Sequence, residues 1–119
     1  MPAAIQRINT DTYVLRLSGI VQRSEFGEVQ RTAAADINAG VKPRILTMLE
    51  NFEGWEKGAD WGELDFLFAH GNDIEKIAIV GDPAWEGQTM AFAGAGLRKA
   101  PVKFFPTTEL SAARGWLAG

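Results

Sequence analysis

Apolar positions along the chain first alternate and then cluster. Ile5 to Thr10 and Thr12 to Leu17 are two short runs meeting at Asn9-Thr10-Asp11. In the second run Tyr13, Leu15 and Leu17 fall on one side, Val14 and Arg16 on the other. That alternation predicts an antiparallel hairpin whose first strand lies at a sheet edge. Gly19 is expected to open a turn and Ser24 to cap the helix that follows, in which Phe26, Val29, Ala33 and Ile37 recur at helical spacing. Gly40 stands where a glycine just past a helix end belongs, and Pro43 blocks any continuation. Arg44 to Leu49 is nearly all apolar, which predicts a strand buried on both faces.

A polar, acidic loop is expected from Glu50 to Ala59. Asp60-Trp61-Gly62-Glu63 has capping-box spacing, and Trp61, Leu64, Leu67 and Phe68 give the helix it opens an apolar stripe ending at Gly71. Ile74 to Val80 reads as another buried strand. Asp82-Pro83 offers an N-cap and a proline at the first helical position for a helix carrying Trp85, Met90, Phe92 and Leu97. Val102 to Phe105 is the last predicted strand, and Thr107 the predicted cap of a final helix with Leu110, Ala113 and Leu117 on one side. The order is β-β-α-β-α-β-α-β-α: an α/β fold with a mainly parallel five-stranded sheet, one antiparallel edge strand and four helices. No repeat or linker interrupts it, so residues 1–119 are read as one domain.

Composition narrows the function classes. Apolar residues make up 46% of the chain, enough for a core and too many for a disordered segment. The absence of cysteine removes disulfides, thiolate metal sites and a cysteine nucleophile together. The first residues lack a basic flank followed by an apolar run, and no stretch has the length of a membrane span, so the cytoplasm is the expected location. Net charge is −3 with both signs mixed, and no Lys/Arg cluster supplies the positive field that nucleic acid requires.

Candidate chemistry is sparse. Glu50, Glu53, Glu56, Asp60, Glu63 and Asp65 crowd one segment after a parallel strand, where open α/β sheets place ligands. Oxygen ligands there suit Mg²⁺ or Ca²⁺, but the Asp-x-Asp-x-Asp-Gly spacing and a histidine partner are missing. Helix capping by Asp60 and Glu63 and solvation of Glu53 and Glu56 explain the charges, so no metal or other cofactor is assigned. His70, the one histidine, stands at a predicted helix C-terminus, where the dipole favours a cation. Gly94-Ala95-Gly96 ends a helical pattern rather than opening one, unlike a phosphate loop. No acid–base pair or nucleophile can be placed by spacing, so no catalytic residue is assigned and the chain is read as a non-enzyme.

Aromatic residues are the stronger signal. Trp55 and Trp85 each lie just past a strand end, at the rim, and Phe66 falls off its helix stripe. Phe52, Trp55, Trp61, Phe66, Trp85 and Phe92 are the candidate ligand-contacting set, since apolar pockets and interfaces are both rich in such rings.

Several local motifs together resemble the SpoIIAA-like (STAS-type) family. They are Leu15-Arg16-Leu17-Ser18-Gly19, Phe52-Glu53-Gly54-Trp55, Ile77-Ala78-Ile79-Val80-Gly81-Asp82 with Trp85, and Phe104-Phe105 with Ala112-Ala113-Arg114-Gly115-Trp116-Leu117. The resemblance implies a sheet wound in one direction, helices packed on it, and a homodimer. Signalling STAS domains are anti-sigma-factor antagonists switched by phosphorylation of a serine at the start of the helix after the third strand. Here the corresponding segment, Asn51 to Asp60, holds no Ser or Thr, and its carboxylates would repel a phosphate. A further branch of this structural group is similar to CRAL-TRIO lipid carriers. The expected function is therefore a noncatalytic domain binding a small apolar molecule or lipid; the alternative is a STAS-like regulatory protein-interaction module without the phosphorylatable serine.

Overall fold

In the computed structural model, residues 3–57, 74–92 and 100–119 are described, with 91 and 92 by backbone alone. Strand β1 (Ala3–Arg7) pairs antiparallel with β2 (Thr12–Val21), bringing Ile5 beside Leu15. The turn between them is held by the Asn9 side chain, whose Oδ1 accepts from the backbone N–H groups of Asp11 (3.1 Å) and Thr12 (2.9 Å). That Asx arrangement is what asparagine does well in turns, and it halts β1 at Arg7.

Helix α1 (Arg23–Asn38) follows, then β3 (Arg44–Trp55) and β4 (Lys76–Gly81). A 3-10 turn, Pro83–Trp85, leads into α2 (Glu86–Phe92); β5 (Val102–Pro106) and a second such turn, Thr107–Glu109, lead into α3 (Leu110–Ala118). The sheet runs β1-β2-β3-β4-β5, and β2 to β5 are parallel, as predicted. Three α-helices stand among the described residues where the sequence predicts four. The expected helix from Asp60, with Trp61, Leu64, Phe68 and His70, lies outside the described residues, as do Gly94 to Gly96.

This strand order decides where the helices go. Each crossover advances the same way along the sheet, and right-handed crossovers then land on one face. Accordingly Val29 and Ile37 of α1 and Met90 of α2 pack with Leu15, Leu17, Ile45, Leu49, Ile77 and Ile79 on a common face. Helix α3 belongs to no crossover and covers the other face, where Ala113 and Leu117 meet Val14, Leu46, Ala78, Val80 and Phe105. Strands β3 and β4 are thus buried on both sides, as their apolar runs predict.

Three local expectations are corrected. Gly19 does not open a turn: at φ +56 it stays within β2, which continues to Val21. Ser24 is not the cap of α1. Gln22 occupies that position without a side-chain bond, and the Glu56 carboxylate accepts the Arg23 N–H at 3.2 Å instead. Thr107 caps nothing by its side chain; Pro106 precedes the turn that winds into α3. At the far end of α1 the glycine expectation holds. Gly40, at φ +101, donates to the Ile37 carbonyl (2.9 Å) and Val41 to that of Asp36 (3.1 Å), the paired bonds of a Schellman ending.

Three polar contacts fix α1 and α3 to the sheet. Tyr13, 1% exposed, donates its hydroxyl to Asp36 Oδ2 of α1 at 2.5 Å. Burial, then the bond to the carboxylate and that group's charge, push the phenol up to about 12, against the opposing pull of Arg7, whose guanidinium lies 5.8 Å from the ring centre. At the C-terminal end of α3, Arg44 Nη1 donates to the Leu117 carbonyl (2.7 Å) and Lys76 Nζ to that of Trp116 (3.0 Å). Two cations from the first residues of neighbouring strands thereby satisfy carbonyls that a helix end leaves open.

Candidate functional site

The carboxyl ends of β3 and β4 carry the candidate site, and irregular backbone puts it there. The sequence predicts a loop after Leu49, yet β3 runs on to Trp55. Pairing with β2 steps from Ser18–Glu50 to Gly19–Phe52 and then to Ile20–Gly54, so Asn51 and Glu53 are extra residues in β3. Asn51 at φ 52 and Gly54 at φ 119 absorb them. Such bulges restore the ladder after each insertion and re-aim the side chains beyond. Phe52 thereby turns into the core, 8% exposed, and Trp55 comes to rest beside Val21. Gly54 needs to be glycine for its φ rather than for space, since an added Cβ would sit 3.5 Å from Trp85 Cη2, an ordinary contact.

Trp85 arrives from the other strand. Gly81 ends β4 so close to Leu49 that a Cβ on it would fall 2.6 Å from Leu49 Cδ1. Asp82 then caps the turn as predicted, its Oδ1 accepting the Ala84 N–H at 2.9 Å, with Pro83 at the first position. The Trp85 N–H donates to the Asp82 carbonyl (2.9 Å), and the Trp85 carbonyl accepts from the buried Thr89 hydroxyl (2.8 Å). The indole is therefore held from both sides of its own backbone.

Phe52, Trp55 and Trp85 form one cluster. The Phe52 ring lies 4.8 Å from each tryptophan, at 85° to Trp55 and 73° to Trp85; the tryptophans are 6.4 Å apart at 71°. All three contacts are edge-on, the arrangement ring quadrupoles favour, each adding about 0.5–1.5 kcal/mol beyond area burial. Edge-to-face rings in direct contact have centroids about 4.5–7 Å apart. All three separations fall in that range, so the rings pack on one another. Phe52 is buried, while Trp55 and Trp85 remain partly exposed at the edge of the core.

Of the predicted contact residues, then, the structure brings Phe52, Trp55 and Trp85 together. Trp61 and Phe66 lie outside the described residues, and so does the side chain of Phe92, whose backbone closes α2. The acidic segment disperses. Glu50 faces Arg16 across the strands (3.0 Å), both about half exposed, Glu56 caps α1, and Glu53 is exposed. Asp60, Glu63 and Asp65 lie outside the described residues. Among the described residues, no three His, Asp or Glu side chains stand together as metal ligands do.

Residue spacing does not single out the residues that do the positioning: Asn51, Gly54, Gly81 and Glu56. A signal existed for Gly81 alone, a glycine between a strand and an Asp-Pro cap; the others depend on pairing with β2 and α1.

The chain matches the family model described as SpoIIAA-like over residues 12–118. No curated protein matches it. Among solved structures it is similar to an uncharacterised Shewanella loihica protein with a SpoIIAA-like fold, at 20% identity and TM-score 0.69, covering 97% of this chain and 91% of that one. It is also similar to the anti-sigma factor antagonist SpoIIAA in its unphosphorylated form, at 12% identity and TM-score 0.59, covering 96% and 97%. At these identities the two structures speak for the fold. No helix among the described residues is long and apolar enough to cross a membrane.

Proposed function

Because the chain belongs to the SpoIIAA-like family, we propose that it is a noncatalytic regulatory module that meets a protein partner through the Phe52–Trp55–Trp85 end of its sheet. The observation that carries this reading is the mutual packing of the rings at 4.8, 4.8 and 6.4 Å. Rings already in contact make a firm platform, with the partly exposed tryptophans on top, and tryptophan is the residue most enriched at interface hot spots. The cluster itself holds no acid, base or nucleophile. A structural relative named as an anti-sigma factor antagonist supports a protein as the binding target. With neither Ser nor Thr in Asn51 to Asp60, such binding is not switched by phosphate on that segment.

Carriage of a small apolar molecule would use the same residues but requires an enclosed space around the ligand. The tight packing of the rings weighs against it. Residence in the cytoplasm and a homodimeric state complete the reading.

The test is Trp55→Ala with Trp85→Ala, checked for folding by circular dichroism and then used in crosslinking pull-downs beside the unaltered chain. Losing two hot-spot rings at ~2 kcal/mol each, ~4 kcal/mol together, should weaken the partner by roughly 700-fold. A folded variant that keeps its partner refutes the platform. Native mass spectrometry of the unaltered chain showing a bound lipid would replace this reading with the carrier.

A further inference from the structure

The charges around the rings say what kind of segment would settle on them. Glu53 lies between Phe52 and Trp55 in the strand, and Glu86 directly follows Trp85; both are exposed. Asp82 and Glu56 stand close by, each with a carboxylate oxygen already accepting a backbone N–H. Among the described residues the cations at this end are Lys57 and Arg23, whose backbone N–H meets the Glu56 carboxylate at 3.2 Å, so the four carboxylates outnumber them. At the amino ends of the parallel strands cations are in excess: Arg44 and Lys76 at the first positions of β3 and β4 and Lys103 near the start of β5 stand against Asp11, 3.6 Å from Arg44, and Glu75. The sheet is therefore electrically polarised, and its aromatic end is the negative one.

From this complementarity we infer that the partner presents a cationic amphipathic segment: an apolar side chain set on Trp55 and Trp85, flanked by Lys or Arg facing Glu53 and Glu86. This rests on the protein-interaction reading and adds the partner's chemistry to it. Apolar contact would supply most of the affinity. The flanking carboxylates would steer the encounter and discriminate against acidic segments, since like charges at a rim oppose association. Guanidinium and ammonium groups also interact well with indole faces, which acidic side chains do not. An anionic membrane surface or a nucleic acid would be repelled by the same carboxylates.

The experiment is selection of a random-peptide display library on the immobilised chain, with counter-selection on the folded Trp55→Ala, Trp85→Ala variant. Peptides enriched on the first and lost on the second should carry Lys or Arg around an apolar residue. Their affinity should fall with added salt, and roughly fivefold with Glu53→Gln plus Glu86→Gln, as two exposed charge pairs at a rim would give. Neutral or acidic peptides that need the tryptophans would overturn the cationic inference and leave the platform standing. Failure to recover any tryptophan-dependent peptide would remove the platform itself, and the inference with it.

Discussion

Replacing Gly81 by alanine tests the packing that places Trp85. The added Cβ would lie 2.6 Å from Leu49 Cδ1, 2.7 Å from its Cβ and 2.9 Å from its Cγ. Carbon atoms rest ~3.5–4.0 Å apart, so all three contacts overlap by roughly an ångström. Rotating Leu49 clears its outer atoms but not its Cβ, which the backbone of β3 holds in place. Either β4 moves or β3 does. Overpacking of this kind costs about 1–3 kcal/mol, and the fixed Cβ contact places Gly81→Ala near the upper end. At ~2.1 cal/mol/K of unfolding entropy per residue, a chain of 119 residues loses about 4 °C of Tm per kcal/mol, or roughly 8–12 °C here. Urea titration gives the free energy, and tryptophan fluorescence reports whether Trp85 shifts. Leu49→Ala removes Cγ and Cδ1, so the double variant should cost about 1 kcal/mol less than the sum of the singles. Gly115→Ala is the control: nothing lies within 4 Å of its added Cβ, and in mid-helix the change should be neutral or stabilise by up to ~1 kcal/mol. A Gly81→Ala cost under about 0.5 kcal/mol, or strictly additive singles, would show that Leu49 does not confine this position.

Other outcomes follow from the same contacts. Tyr13 has its phenol raised to about 12 in the fold against ~10 in an unfolded chain. A raised value means stability that is complete below pH ~10 and lost as pH climbs from 10 to 12, at most about 3 kcal/mol. Tyr13→Phe should lack that component, so the stability difference between the two proteins should shrink across this window in alkaline urea titrations. Gly54→Ala should cost about 1–2 kcal/mol, because φ +119 disfavours any side chain; thermal melts would show it, with a change in tryptophan emission. Arg44→Ala and Lys76→Met each remove a cation from the end of α3 and should cost about 0.5–2 kcal/mol. Hydrogen exchange should then speed up in α3 before it does in α1.

Most of the architecture could be read from the chain because burial writes it there. The dense apolar runs of β3 and β4 announce strands covered on both sides, and Asp82-Pro83 announces its turn. The Gly40 ending of α1 was equally legible. What the chain conceals are features decided by a neighbour. Ser24 has the chemistry of a cap, but the bulged end of β3 delivers the Glu56 carboxylate to that place. Glu50 to Trp55 looks like a loop because its polar residues break any alternation. Two residues in left-handed backbone reconcile that stretch with β2, and no pattern of hydrophobicity records them. The candidate site follows the same division: strand-end logic located Trp55 and Trp85 at the rim, whereas the contact of both rings with Phe52 depends on the bulges.

The sheet's simple numerical order has a consequence for how the chain assembles. Among the described residues each strand after β1 pairs with the strand before it in sequence, so none must wait to be slotted between two others. A polypeptide emerging from the ribosome can extend its sheet one strand at a time, each addition closing one crossover rather than spanning the whole chain, which limits the closure entropy of each step. Helix α3 is the exception. Its anchors, Arg44 and Lys76, are made long before it, so it docks onto a platform that is already built, and the second half of the core is sealed last.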